Sequence, residues 1–232
     1  EEASLLAFTD GKTIRPMISA QDHKRAFDGD KGPNTGGMGT YAPAPVMTPE
    51  MIDRATEEIL KPTLAAMAKE GRPYSGCLYL GLMITEEGPK VVEFNARFGD
   101  PETQVVLPLL DGDLIQIMCA CADGTLADVP IHWKDGAAVC VVLTAGGYPA
   151  SYEKGNEIHG IADAEKTGAL VFHAGTAEKE GKLVTNGGRV LGVVGMGEDI
   201  ASAVHSAYAA VEKISFKDAY YRKDIAHRAL HR

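Results

Sequence analysis

Apolar and polar residues alternate in short runs over the first part of the chain, which predicts strands joined by tight turns. The chain enters such a run at its first residue, and Asp10-Gly11 has the composition of a two-residue hairpin turn. Together the runs predict an antiparallel sheet. The strands are predicted at residues 1–8, 13–18, 77–85 and 90–95, the last two joined by a turn at residues 86–89.

Helical spacing of apolar residues predicts two helices in the same part of the chain. Thr48-Pro49-Glu50 combines an N-cap, a proline at the first helical position and an early acid. This helix is expected to run to Gly71, with a kink at Pro62. A second helix is predicted from about Leu114 to Ala122.

The pattern changes at about residue 136, where a continuous apolar run at residues 137–144 begins. Short strand candidates follow, separated by glycines, and an amphipathic helix is predicted over residues 198–214. We therefore predict an α+β protein with two domains, residues 1–135 and a small strand-rich domain with one long helix, residues 136–232. The strand candidates are at Ile158 and at residues 170–173, 182–185 and 190–194.

Composition narrows the function classes. The 232 residues carry 32 acidic and 23 Lys or Arg side chains, a net charge of −9 without a basic run, which disfavours a nucleic-acid partner. No apolar stretch reaches the length of a membrane span, so no membrane partner is expected. The four cysteines lack C-x-x-C spacing and are predicted to be structural thiols, in keeping with a cytoplasmic enzyme.

The chain opens inside a strand pattern, with neither an initiator methionine nor a leader. We expect from this opening that the chain is a fragment of a larger enzyme and that no signal peptide is present.

Residues 92–104 are the segment most indicative of chemistry. Glu93 and Asn95 share one face of a predicted strand, about 7 Å apart by the strand rise, and their oxygens suit Mg²⁺. Arg97 follows, with a guanidinium that matches phosphate or carboxylate. Asp100-Pro101-Glu102 is expected to start a helix, with Asp100 as its N-cap. The segment indicates chemistry on a phosphate; taken alone, it could equally be a solvated strand end and an ordinary helix cap.

A glycine-rich run at residues 28–39 exposes backbone N–H groups and allows close approach to a ligand. It is not a Walker A loop, because no Lys-Ser/Thr follows its glycines. Nor is it a dinucleotide-binding fingerprint, because no strand leads into it and no helix follows. An ordinary surface loop remains the alternative.

Several separate stretches resemble the glycinamide ribonucleotide synthetase family of the ATP-grasp superfamily, over essentially the whole chain. The resemblance is to the C-terminal part of these enzymes. It is strongest in Gln-Asp-His-Lys-Arg at residues 21–25, in the glycine-rich run at 32–39 and in the segment at 93–104. The other stretches are residues 1–4, 146–149, 172–176, 185–190 and 221–225.

The resemblance implies an activity, in which ATP phosphorylates the carboxylate of glycine and the amine of 5-phosphoribosylamine attacks the glycyl phosphate. It implies Glu93 and Asn95 as ligands of Mg²⁺ (or Mn²⁺), Arg97 as the catalytic residue at the transferred phosphoryl group, and Glu2 as an ATP-ribose ligand. Thirteen residues are implied to frame glycine and 5-phosphoribosylamine: Asp22, His23, Lys24, Arg25, Asn34, Thr35, Gly36, Gly37, Met38, Gly39, Asp100, Pro101 and Glu102.

Two departures from the superfamily pattern qualify this implication. The predicted strand at residues 78–84 is uncharged, where many ATP-grasp enzymes carry a second metal-binding carboxylate. The N-terminal half of the same enzyme, with its phosphate-binding lysines and adenine hinge, is absent, so the isolated chain is expected to be inactive.

Two alternatives therefore stay open. The chain could be a non-catalytic folded fragment, or it could belong to another ATP-grasp carboxylate–amine ligase or to a carboxylase ATPase subunit. The specificity of residues 22–25 and 33–39 speaks against the second alternative.

Overall fold

The computed structural model describes residues 1–231, which form two compact units. The first unit comprises residues 1–21 and 43–134, and the second comprises residues 22–42 and 135 onward. The junction at 134/135 lies beside the predicted domain boundary, whereas residues 22–42 group with the C-terminal segment. The assignment of two sequence domains at 135/136 stays a prediction.

The first unit is built on an antiparallel four-stranded sheet, as predicted. Ser4 pairs with Gly81, and Gly81 pairs in turn with Glu93, so these positions share one face of the sheet. In spatial order the strands are Ile14–Pro16, Glu2–Thr9, Gly76–Thr85 and Gly88–Asn95.

The two faces of this sheet differ in character. One face forms the core, because apolar side chains of alternate residues pack against the helical segment at residues 49–69. The core residues from the sheet are Ala3, Leu5, Ala7, Leu78, Leu80 and Leu82. The period of two then places polar residues on the opposite face: Glu2, Ser4, Tyr79, Glu93 and Asn95.

The predicted helix after Thr48 is confirmed, and Thr48 Oγ1 accepts the N–H of Met51 as an N-cap. The expected kink at Pro62 takes the form of a π-helical turn directly before it. Pro62 has no N–H for the carbonyl of Glu58, and Glu58 lies inside that wide turn. The segments are Pro49–Ala55, the π turn Thr56–Leu60, and Lys61–Lys69.

The rest of the first unit is mostly helical. The helix predicted from Leu114 is confirmed, capped by the side chain of Asp113 and ended by Gly124 at φ 74°. On this helix Cys119 is exposed and Cys121 is buried. The elements are helices Thr103–Val106 and Leu114–Asp123, 3₁₀ turns Leu107–Leu109 and Leu126–Asp128, and strands Leu110–Asp111 and His132–Trp133. Within residues 1–231, no helix has the length and apolarity to cross a bilayer.

The second unit is strand-rich with one long helix, which confirms the predicted fold class. Its sheet has the order Leu170–His173, Arg189–Gly197, Ala137–Thr144, Gly39–Ala42 and Gln21–Asp22. Two hairpins accompany it, Thr176–Lys179 with Lys182–Thr185 and Arg25–Phe27 with Lys31–Asn34. The helices are Ile161–Glu165, Ile200–Val211 and His227–Leu230.

The core of the second unit lies between this sheet and the helix Ile200–Val211. A Cβ at Gly195 would lie 2.2 Å from the backbone nitrogen of Ala207, so a glycine is needed where the helix approaches the strand. The strand expected at Ile158 is wrong, because the chain makes only isolated bridges at Glu157 and His159. Conversely, the glycine-rich run contains the strand Lys31–Asn34, which the pattern did not predict.

Candidate active site

The predicted site residues fall into two groups, one in each unit. The first unit holds Glu2, Glu93, Asn95, Arg97, Asp100, Pro101 and Glu102. The second unit holds Asp22, His23, Lys24, Arg25, Asn34, Thr35, Gly36, Gly37, Met38 and Gly39.

Glu93 and Asn95 lie on the same face of the last strand of the sheet, as the alternation predicts. Asn95 Nδ2 donates to Glu93 Oε1 at 3.1 Å, and the pair is accessible to solvent. Gly81 faces Glu93 from the neighbouring strand, and a Cβ at Gly81 would lie 3.1 Å from Glu93 Cγ. In this contact the amide nitrogen faces the carboxylate. The Glu93 carboxylate and the Asn95 amide oxygen are nevertheless the kinds of hard-oxygen ligand that fit a divalent cation. No cluster of three or more His, Cys, Asp or Glu suited to a metal occurs among residues 1–231.

Arg97 and Glu2 lie near the ends of this sheet face. Arg97 Nη1 donates to the carbonyl of Phe98 at 2.9 Å, and its guanidinium carbon is 5.9 Å from the centre of the Tyr79 ring. This distance is within the range of a cation–π contact. The backbone carbonyl of Glu2 accepts a hydrogen bond from Gln21 Nε2 at 2.8 Å.

Glu102 is turned towards the sheet and is only 4% exposed. Its Oε1 accepts hydrogen bonds from Tyr79 OH at 3.0 Å and from Ser4 Oγ at 3.2 Å. The two hydroxyl oxygens are themselves 2.8 Å apart. We call Ser4, Tyr79 and Glu102 the carboxylate triad. It fastens the segment after Arg97 to the polar sheet face, and neither Ser4 nor Tyr79 was recognised from the sequence.

The helix start predicted with Asp100 as N-cap is wrong by two residues, because the N-cap is Glu102. The helix is Thr103–Val106, and Val106 N–H donates to the carbonyl of Glu102 at 3.0 Å. Asp100 therefore lies before the helix, in a turn with a cis Asp100–Pro101 peptide bond. The short helix begins later because the Glu102 side chain belongs to the carboxylate triad and its backbone opens the first turn.

In the second unit, residues 22–25 and 34–39 lie alongside each other as two arms. His23 N–H donates to the carbonyl of Gly39 at 2.8 Å, and Thr35 N–H donates to that of Lys24 at 2.7 Å. The Thr35 hydroxyl stabilises the bend, since its Oγ1 also accepts Gly37 N–H at 3.0 Å. We call residues 34–37 the glycine loop.

The arms divide the predicted substrate-binding residues by burial. Asp22, Gly37, Met38 and Gly39 are buried, and a Cβ at Gly39 would lie 2.6 Å from the carbonyl oxygen of Cys140. Glycine at position 39 therefore serves close packing of two strands. The residues with side chains or backbone accessible to solvent are Lys24, Arg25, Asn34, Thr35 and Gly36.

His23 is buried as well and has a structural partner. Its Nε2 accepts the backbone N–H of Ala226 at 3.0 Å, so the proton of the neutral ring is on Nδ1. In the described part of the chain Nδ1 makes no hydrogen bond, and Asp30 Oδ1 is 3.9 Å away. Burial lowers the pKa of His23 to about 4.

Arg222, which the sequence did not single out as functional, is the centre of a buried ionic cluster. Its Nε and Nη2 each donate to a carboxylate oxygen of Asp224 at 2.8 Å, and its Nη1 donates to Asp30 at 3.0 Å. Nη1 also donates to the carbonyl of Arg25 at 3.0 Å, which ties the cluster to the first arm. His23, Arg228 and Arg222 together hold the pKa of the Asp30 carboxyl well below its usual range. We call Asp30, Arg222 and Asp224 the buried ionic cluster.

Comparison with known proteins decides the family. A model of the phosphoribosylglycinamide synthetase ATP-grasp (A) domain matches residues 1–103, and a model of the C domain of the same synthetase matches residues 138–228. The chain belongs to the phosphoribosylglycinamide synthetase family. The resemblance found in the sequence is thereby confirmed.

Curated relatives of this synthetase family match the chain end to end. A phosphoribosylamine–glycine ligase of Synechocystis is 55% identical over 99% of the chain and 55% of its own length. The trifunctional purine biosynthetic protein adenosine-3 of Gallus gallus is also 55% identical, over 99% of the chain and 23% of its own length. The chain thus spans about half the length of the curated single-function ligases it matches.

Solved structures agree with this family assignment. The crystal structure of a phosphoribosylamine–glycine ligase from Thermotoga maritima aligns with a TM-score of 0.88 at 42% identity, covering 97% of this chain and 56% of its own. The biotin carboxylase domain of a Hydrogenobacter thermophilus carboxylase, solved with MgADP and bicarbonate, has a TM-score of 0.61 at 14% identity. It covers 95% of this chain and 46% of its own and shows likeness of fold alone.

Proposed function

We propose that the full-length protein containing this chain is an ATP-dependent ligase that joins glycine to 5-phosphoribosylamine in purine synthesis. ATP transfers its terminal phosphoryl group to the glycine carboxylate, giving glycyl phosphate and ADP. The amine of 5-phosphoribosylamine then attacks the activated carbonyl carbon, the amide forms and phosphate leaves. The observation that carries this proposal is the 55% identity to a phosphoribosylamine–glycine ligase over 99% of the chain.

The polar face of the first unit supplies the groups for the phosphoryl transfer. Glu93 and Asn95, which lie side by side on this face, would hold Mg²⁺ or Mn²⁺ through their oxygens. A bound ion would supply neutralisation of charge on the ATP phosphates. Arg97 lies two residues further on and stabilises charge on the transferred group. Glu2 lies on the same face and contacts the ATP ribose.

The arms of the second unit supply contacts to glycine or 5-phosphoribosylamine. The accessible groups there are the side chains of Lys24, Arg25 and Asn34 and the backbone of the glycine loop. Basic side chains and backbone N–H groups favour anions, and both substrates carry negative charge. Asp100 and Pro101, in the first unit, are proposed as separate substrate contacts. The protein is proposed to act in the cytoplasm.

The test is ADP release by the full-length protein with Mg-ATP, glycine and 5-phosphoribosylamine, each omitted in turn. ADP release is expected to need both substrates. Glu93→Gln is expected to lower kcat by about 10²-fold or more, whereas Lys166→Gln, an exposed substitution far along the sequence, leaves it unchanged. Release that proceeds with bicarbonate instead of glycine would favour a carboxylase. Sustained release that the amine does not accelerate and that yields no amide product would exclude the ligase. The 232-residue chain alone is expected to give no turnover.

A further inference from the structure

Three motifs of the second unit have no role in the proposed function: residues 146–149, 172–176 and 185–190. Each contains glycine and falls at a turn or strand end. The structure brings all three to one place, beside the glycine loop, although they lie more than 100 residues further along the chain. Their convergence calls for a common explanation.

The contacts centre on the backbone of Gly36. Its N–H donates to Tyr148 OH at 3.1 Å, and its carbonyl accepts from Arg189 Nη1 at 2.7 Å. The same Nη1 lies 3.5 Å from the carbonyl of Gly37. Both polar groups of an exposed loop residue are therefore bound by side chains from distant segments, where water would ordinarily suffice.

The surrounding glycines give these two side chains their access. A Cβ at Gly36 would lie 3.0 Å from Arg189 Cζ, and a Cβ at Gly188 would lie 2.2 Å from Tyr148 Cδ2. The motif at residues 172–176 supports the backbone of Arg189, because the Arg189 carbonyl accepts the Gly175 N–H at 2.8 Å. A side chain at position 36 or 188 would displace Arg189 or Tyr148 from the loop.

We propose that Tyr148 and Arg189 are positioning residues that hold the glycine loop in the conformation that binds an anionic substrate, glycine or 5-phosphoribosylamine. This inference rests on the proposed function for the identity of the substrate. Glycine-rich segments lose more backbone entropy on ordering than others do. A loop already held at Gly36 avoids part of that loss when the substrate binds, so affinity rises without further substrate contacts.

The experiment uses the full-length protein and the variants Tyr148→Phe and Arg189→Met. Tyr152→Phe is the matched control, since its ring centre lies 6.3 Å from that of Tyr148 and it has no hydrogen bond to the loop in the described structure. Hydrogen exchange of the amides of residues 35–37 is expected to quicken about tenfold in both variants and not in the control. Arg189→Lys keeps a donor and is expected to restore part of the protection.

Steady-state kinetics then separates a positioning role from a structural one. In both variants KM for glycine or for 5-phosphoribosylamine is expected to rise about fivefold or more, with KM for ATP unchanged and kcat reduced less. If hydrogen exchange at residues 35–37 is unchanged in both variants, Tyr148 and Arg189 do not hold the glycine loop. Faster exchange with all three KM values unaltered, or all raised alike, would overturn their role in substrate binding. If the protein shows the expected exchange but forms no amide product, the proposed function is refuted. The exchange data would still show whether Tyr148 and Arg189 hold the glycine loop.

Discussion

The polar groups of the two units are used in opposite ways. On the first unit's sheet, Glu93 is exposed, and in the described structure the hydrogen bond of its side chain is to Asn95, two residues away. In the second unit, the Arg222 side chain is fully buried and each of its three nitrogens donates to a protein acceptor. Both segments resemble the same family. The difference teaches that a family motif can serve chemistry or architecture, and that burial and hydrogen-bond partners distinguish the two.

A physical reason underlies this division. An ion pair removed from water is stable only when each charge finds compensating partners, and it then has little capacity left for a ligand. A carboxylate on an open sheet face keeps its hydration and can exchange it for a cation. We therefore expect substitutions in the buried ionic cluster to change stability and those at Glu93 and Asn95 to change activity.

The largest effect is expected from Arg222→Met. It leaves Asp30 and Asp224 without their shared partner, and losing one member of a buried pair typically costs about 3–5 kcal/mol. Urea unfolding of this chain measures the free energy of unfolding of each variant. Lys223→Met is the control, because the neighbouring side chain is exposed. Equal stabilities of the two variants would show that the cluster is not structural.

The pH dependence of stability is the next largest effect. The pKa of His23 in the folded chain is about 4, below its ordinary value of 6.5, so the unfolded chain takes up this proton first. Stability is therefore complete above pH 6.5 and falls as the pH is lowered to about 4, by about 3 kcal/mol at 1.36 kcal/mol per unit. The lowered pKa of Asp30 adds a further loss only below pH 3.8.

Urea unfolding at pH 7 and pH 4.5 measures this dependence. His23→Gln is expected to flatten the profile between these two values, whatever its stability at pH 7. His205→Gln, at an exposed helix position, is expected to leave the profile as it is. If the His23→Gln profile runs parallel to that of the unsubstituted chain, the buried imidazole is not the titrating group.

A smaller effect on stability is expected in the first unit, whose buried polar group is the carboxylate triad. Tyr79→Phe removes one hydrogen bond to Glu102 and should lower the free energy of unfolding by about 1–2 kcal/mol. A double-mutant cycle with Ser4→Ala tests the network, because both hydroxyls share one acceptor. We expect a coupling energy of about 0.5–1 kcal/mol. Strict additivity would mean that the two hydroxyls act separately.

The smallest effect is expected at an exposed ion pair. Lys166 Nζ lies 2.8 Å from Asp163 Oδ1, and both side chains are largely exposed. Lys166→Gln should not change the unfolding midpoint measurably, because hydrated surface pairs contribute little. A loss of stability as large as that expected for Tyr79→Phe would contradict the contrast between buried and exposed polar groups.

The sequence predicts much of the fold because local patterns and local chemistry coincide there. Ala137–Thr144 and Leu170–His173 are found where they were predicted, since each is an apolar run bounded by polar or glycine residues. Lys31–Asn34 was missed because Gly32, Pro33 and Asn34 disfavour strands. Its pairing with Arg25–Phe27 is instead supported by the buried ionic cluster, which joins residues far apart in the chain.

The candidate site, like the fold, was predictable where it depends on local pattern and not where it depends on long-range contacts. That Glu93 and Asn95 share a face follows from the strand period alone. The inward turn of Glu102 does not, because it depends on Ser4, 98 residues away. Nor could the sequence show that His23 is buried against Ala226, 203 residues further on. Long-range contacts decided which residues of the motifs remain accessible.

The discontinuity of the second unit has a consequence for synthesis on the ribosome. Residues 22–42 emerge before their partner, because the strand that pairs with Gly39–Ala42 begins at Ala137, roughly a hundred residues later. At about 5–20 residues per second, this segment stays unpaired on that side for about 5–20 s after it leaves the ribosome. The arm that carries the glycine loop is therefore made well before the strand that completes its side of the sheet, and it can finish folding only after that strand has emerged.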